Sequence, residues 1–342
     1  MIAPLAFMVL AGTFMLVGQS YLRTAAWPRR APRLGIALWQ ALAGAVVACL
    51  LLACLSLILP GMSAAATVSE ALHACAVGLK HRYSSPEGAA VSTAGIGLFV
   101  FLALRLQGAL WNNHRSARRS RLDHLASLAL VARPDASGVY SIDHQSTAVY
   151  CLPNSRLGSG AGTIVVTTGA REALTSKQLR LVLRHERAHL RSRHDRLVLR
   201  SRSLADALPW FPFFEAVHEQ IAELVELHAD DAVAPLDRPE LAGALYRLAG
   251  GGTRIAPAAS LSAARPAAST RVGRLVRPQI PLRRSGAALV MASIAAIGVA
   301  PAALAIFPTG TAFSHHCCER PGETPLAANP SGPPAHSTLL TT

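Results

Sequence analysis

The sequence predicts an α-helical membrane protein with four transmembrane helices and an inserted cytosolic α+β domain. Three observations carry that reading. Of the 342 residues, 51% are hydrophobic and only 15% charged, whereas soluble chains average about 25% charged. Four apolar runs reach the roughly 20 residues that a bilayer crossing needs. Between the third and the fourth lies a polar stretch long enough for a domain of its own. The formal net charge is +14, and Lys80 and Lys177 are the only lysines, so nearly all of the positive charge is arginine. Such a balance suits nucleic acid or the anionic inner membrane surface. No nucleic-acid recognition motif accompanies the charge, so the lipid bilayer is the expected partner and no direct nucleic-acid contact is expected. Six cysteines without a CxxC spacing exclude a zinc ribbon or a disulfide scaffold.

In chain order, residues 1–111 form a membrane domain with spans at about 2–22, 34–59 and 89–111. The first span has no basic leader and no small-residue cleavage site, so it reads as an anchor. Pro60-Gly61 ends the second. Arg105 interrupts the last turns of the third, where an arginine can snorkel to the headgroups. The fourth span covers 286–307. Arginines orient the chain, because short cytoplasmic loops collect them. Arg23, Arg29, Arg30 and Arg33 fill the first loop, and Arg115, Arg118, Arg119 and Arg121 follow the third span. The second loop and the tail are nearly balanced in charge. The N-terminus is therefore expected outside, the insert 112–285 in the cytosol, and the tail 308–342 outside and unfolded. The tail run His315-His316-Cys317-Cys318 makes a poor tetrahedral site. Cys75 lies on the same outer side, within reach of a disulfide to Cys317 or Cys318. Cys49 and Cys54 read as core residues.

Within the insert, β-like runs at Gly138–Ile142, Ala148–Leu152 and Thr163–Thr168 alternate with turn residues, which predicts a small antiparallel sheet. A helix from Lys177 to about Ala207 follows, with Thr175 and Gln178 forming a capping box and Pro209 ending it. Another runs from about Phe213 to Ala234. The first carries His185-Glu186-Arg187-Ala188-His189. Histidines four residues apart share one helix face, so both imidazoles can meet one Zn²⁺. Glu186 is rotated aside, where it can take a proton from water instead of binding the ion. Leu179, Leu183, Leu190 and Leu197 run beside the histidines, and Arg180, Arg184, Arg187 and Arg191 lie opposite. Such a site needs a third protein ligand. His194 stands half a turn round the helix and does not converge. The next helix offers Glu219, Glu223, Glu226 and Asp230, and spacing alone leaves the choice among them open.

His185-Glu186-Arg187-Ala188-His189-Leu190, with Arg193-His194-Asp195 and then Glu226-Leu227-His228-Ala229-Asp230-Asp231, resembles the BlaR–MecR-type membrane metallopeptidases. It is also similar to the HtpX and CAAX-prenyl protease group. The resemblance spans roughly Ser137 to Ala234 and implies a gluzincin metallopeptidase domain with one Zn²⁺ per chain. It implies His185, His189 and Glu226 as ligands, Glu186 as catalytic base, and Asp230 as a partner orienting an imidazole. An edge strand would hold substrate by β-augmentation. The segment 241–284 matches no known pattern. No Ser-x-x-Lys nucleophile is present, so the penicillin-sensor domain of the family's receptors is expected to be missing. The function implied is a signalling endopeptidase in the cell membrane that cleaves a cytosolic winged-helix BlaI-type repressor. The alternatives are an HtpX-like quality-control protease or a non-enzymatic signal transducer.

Overall fold

A computed structural model describes residues 2–58, 84–134, 139–153, 162–250, 268–277 and 280–310. Helix α1 (Ile2–Thr13) passes through a π-helical turn, Phe14–Gly18, into α2 (Gln19–Thr24); α3 (Trp27–Arg30) and α4 (Pro32–Ile58) follow. Helix α5 (Pro86–Val131) has 46 residues, about 70 Å at 1.5 Å per residue. Strands β1 (Arg133–Pro134), β2 (Val139–Ile142), β3 (Val149–Leu152) and β4 (Thr163–Thr167) lead to α6 (Thr168–Ala173), α7 (Ser176–Ser192), α8 (His194–Ala207) and α9 (Pro212–Asp230). The last helices are α10 (Arg238–Gly250), α11 (Ala268–Val276) and α12 (Arg284–Gly310). Among the described residues, four helical stretches are long and apolar enough to cross a membrane: Ala3–Thr24, Pro32–Ile58, the apolar part of Pro86–Val131, and Arg284–Ala305. Cys75, most of the second loop and the His315–Cys318 run lie outside the described residues, whereas α5 starts at Pro86 within that loop and α12 continues to Gly310, past the expected start of the tail.

Helix α4 is the hub of the apolar core. Its Trp39, Leu42 and Val46 are fully buried in one cluster with Phe214, Val217, Ile221 and Leu224 of α9. A Cβ on Gly35 would come within 3.1 Å of Leu224 Cδ1, so α9 seats directly on α4. Cys49 and Cys54 are buried in α4.

The sheet differs from the antiparallel one expected. Its order is β1-β2-β4-β3, and β2 pairs with β4 in parallel. The chain after β2 skips a position, and β4 then fills the gap. Thr167 Oγ1 fixes that detour by donating to Ser146 O at 2.6 Å and accepting from Ala148 N at 3.0 Å. Both faces are covered, which is why β3 is buried at every position. On one face Cys151, Ile164 and Val166 pack with Leu181 and Val182 of α7. On the other, Tyr150, Leu152 and Val165 pack with Leu128 of α5, and Tyr150 Oη lies 2.7 Å from His124 Nε2. Strand β3 is therefore the edge strand beside the helix of the paired histidines.

The single helix expected from Lys177 to Ala207 is two. Arg193 breaks it with φ 51° and ψ 45°, a left-handed conformation that satisfies the end of α7 through the Arg193 N–H, which donates to His189 O and Leu190 O. Helix α8 then runs antiparallel to α5: Arg121 meets Asp195 at 3.5 Å, and Asn113 Nδ2 donates to Asp206 Oδ2 at 2.7 Å. Arg105 of α5 meets the end of α8. Its guanidinium donates to Ala207 O and Asp206 O at 3.2 and 3.1 Å, capping the last carbonyls of α8, and it lies 5.5 Å over the Trp210 ring.

Candidate metal centre

Helix α7 starts where the capping box requires. Gln178 N donates to Thr175 Oγ1 and Thr175 N donates to Gln178 Oε1, each at 3.2 Å. From that start the four-residue spacing turns His185 and His189 inward, while Arg180, Arg184, Arg187 and Arg191 stay exposed. Helix α9 crosses α7 and brings Glu226 to them. Glu219 is exposed, and Glu223 is taken by Arg29 at 2.9 Å. The choice that spacing left open thus falls to geometry: among the described residues, His185, His189 and Glu226 form the group whose ligand atoms lie within 4.8 Å of one another.

The two Nε2 atoms are 3.1 Å apart. Glu226 Oε2 is 3.7 Å from His185 Nε2, and Oε1 is 3.5 Å from His189 Nε2. Ligands about 2.0–2.1 Å from a tetrahedral ion stand roughly 3.3 Å apart, so these edges fit a zinc-sized ion with little rearrangement. The donor set, two imidazoles and a carboxylate, suits zinc and leaves a position open for chemistry. Each ring nitrogen turned away from the cluster meets a buried partner. His185 Nδ1 is 3.1 Å from Asp230 Oδ1 and makes no hydrogen bond among the described residues. His189 Nδ1 is 2.9 Å from His194 Nδ1, and His194 Nε2 is 2.8 Å from His228 Nδ1. With His189 Nε2 turned to an ion, its proton sits on Nδ1 and donates to His194, which in turn donates to His228. His194 does not join the cluster, as its place on the helix suggested, but the break at Arg193 lets it hold His189 from behind.

Charge in the cluster is strongly coupled. Burial pushes the Glu226 carboxyl up, yet the neighbouring His189 and Arg271 charges outweigh it and hold the group at about 2. His185 is pulled down by burial but raised more by its Asp230 and Glu226 contacts, to about 9. Burial lowers His189 to about 4 and, with the two neighbouring imidazoles, His194 to about 2. Glu186 is buried beside the pair and raised by that burial.

Arg271 is the neighbour that sequence reading missed. It comes from α11, within the stretch that carried no recognisable pattern. Its Nη1 lies 2.8 Å from Glu226 Oε2, and its Nη2 and Nε donate to Asp230 Oδ1 and Oδ2 at 2.6 and 3.0 Å. A lone arginine after an undescribed connection gives no local signal; only the docking of α11 brings it here.

Residues 112–238 match the family model described as peptidase family M48. No curated protein and no solved structure matches the chain. Over the segment that carries the metal-competent cluster, the chain is therefore similar to the metallopeptidases of family M48.

Proposed function

We propose that the protein is a membrane-embedded zinc endopeptidase with a cytosolic active site, acting as a signalling protease on a cytosolic repressor of the winged-helix BlaI type. The observation that carries the enzymatic part is the convergence of His185, His189 and Glu226 with Glu186 alongside. Zinc held by His185, His189 and Glu226 would lower the pKa of a bound water toward about 7 and polarise a carbonyl. Glu186 then has the work of a base: it takes a proton from the attacking water and returns it to the leaving amine. Its raised affinity for a proton, caused by burial, brings it toward the pH at which such transfer is efficient. Asp230 and His194 keep the two imidazoles turned inward. Strand β3 has no strand partner on its outer side among the described residues, which supports binding of an extended substrate by β-augmentation.

A second reading, membrane-protein quality control, is favoured by the α8–α9 turn. Trp210 stacks on Phe101 with centroids 6.2 Å apart, inside the apolar run that ends near Trp111. With that run in the bilayer, the turn lies about 15 Å from its edge, and substrate arriving through the membrane would meet the hairpin first. Co-expression separates the two. The repressor should be shortened by the wild type and left whole by Glu186→Ala, which keeps its zinc. Accumulation of many membrane proteins in the Glu186→Ala strain, with every repressor intact in the wild type, would decide for quality control.

A further inference from the structure

Arg271 touches the candidate metal centre at two carboxylates and also lies, through Nη2, 3.5 Å from His185 Nε2. It is mostly buried, with 13% of its side chain exposed. One edge of its guanidinium takes both oxygens of Asp230, and Nη1 takes Glu226 Oε2. The two Glu226 oxygens are otherwise nearly equivalent toward the histidines, at 3.5 and 3.7 Å from their nearest imidazole nitrogens. Asp230, in turn, is the group behind His185 Nδ1. A planar fork with five donors can engage both carboxylates at once, whereas a lysine ammonium offers a single point. The helix that supplies it is anchored nearby. Arg274 Nη2 donates to both Asp231 oxygens at 2.9 and 3.0 Å, Arg274 Nε donates to Arg29 O at 3.0 Å, and Leu275 is buried in the sheet core.

We propose that Arg271 is a positioning residue of the metal centre. It occupies Glu226 Oε2 so that Oε1 alone is offered to the ion, and it clamps Asp230 behind His185. Helix α11, outside the segment that matches the peptidase family, is thus part of the site. The proposal rests on the zinc-site reading above. Coulomb repulsion pulls the other way, since removing a cation beside the site would by itself favour a dication. The geometric role predicts a loss on removal, the electrostatic one a gain, and the two outcomes have opposite signs.

The test is metal binding by the full chain purified in detergent, stripped with a chelator and titrated with zinc against a chromophoric competitor. Wild type should take one zinc, and Arg271→Ala should bind it about 10- to 100-fold more weakly, the usual range for loss of an outer partner. Arg271→Lys should fall between them. With cobalt in place of zinc, the visible absorption of Arg271→Ala should weaken relative to wild type, because a freed Glu226 carboxylate can use both oxygens and raise the coordination number. A purely structural residue would lower the yield of folded protein without changing that spectrum. Affinity equal to or tighter than wild type in Arg271→Ala would overturn the proposal. Should that variant not fold, Arg271→Lys decides: identity to wild type in both affinity and cobalt spectrum would also overturn it. Absence of zinc binding by the wild type would instead remove the metal reading and leave the Arg271 contacts as an ordinary buried ion pair.

Discussion

His185 has to serve two partners, a proton and a metal. In the metal-free protein its Asp230 and Glu226 contacts outweigh the opposing effect of burial and raise it to about 9. A folded-state value above the unfolded one of about 6.5 stabilises the metal-free fold below pH 6.5 and is lost as pH rises through 9. Zinc must displace that proton. Its affinity should therefore climb close to tenfold per pH unit from 7 toward 9 and then level off. Asp230→Asn, which removes the charge behind the ring, should flatten the climb at neutral pH. Competition titrations at a series of pH values check both, and a flat profile in the wild type would show that His185 is already neutral at pH 7.

At the scale of elements, the break at Arg193 decides what the α7 and α8 helices do. Were they continuous, His194 would point away from His189. The left-handed residue turns the chain so that His194 Nδ1 comes within 2.9 Å of His189 Nδ1. A β-branched side chain is poorly tolerated there. Arg193→Val should cost about 1–3 kcal/mol and weaken zinc binding along with it, while Arg193→Gly should match or exceed the wild type in thermal stability. Thermal unfolding and zinc titration of the two variants give the comparison. Equal loss in both would point to the exposed Arg193 side chain and not to its backbone. The capping box at Thr175 was legible in the sequence because its partners are three residues apart. The parallel pairing of β2 with β4 was not, because strand order depends on where a connection passes and not on what the strands contain.

At the scale of the whole molecule, α5 joins the apolar region to the sheet as one helix. Its Arg105, Asn113 and Arg121 meet α8 in antiparallel order, and Leu128 reaches the sheet. Helix α9, which carries Glu226, packs on the apolar helix α4, and α8 packs on α5. The arginine distribution sets the expected orientation. Reporter fusions after Arg121 and before Arg283 should read as cytosolic, and a fusion at Ser84 as external. An external signal at Arg121 would reverse the insert and place the site on the other side of the membrane.

What the sequence determined by itself follows short-range rules. Hydrophobic run length marked the helices long and apolar enough to cross a membrane, because a bilayer has a fixed thickness. Four-residue spacing put His185 and His189 on one face, because an α-helix has a fixed period. Tertiary structure decided what depends on two elements meeting. It brought Glu226, of four acidic candidates, to the histidines by the crossing of α7 and α9, assigned Glu223 to Arg29, and set Arg105 on the last carbonyls of α8. It also brought Arg271 beside Glu226 and Asp230 from a helix without any motif. Those contacts join residues tens of positions apart, and no local pattern encodes them. They follow from the burial of apolar faces that docks one helix on another.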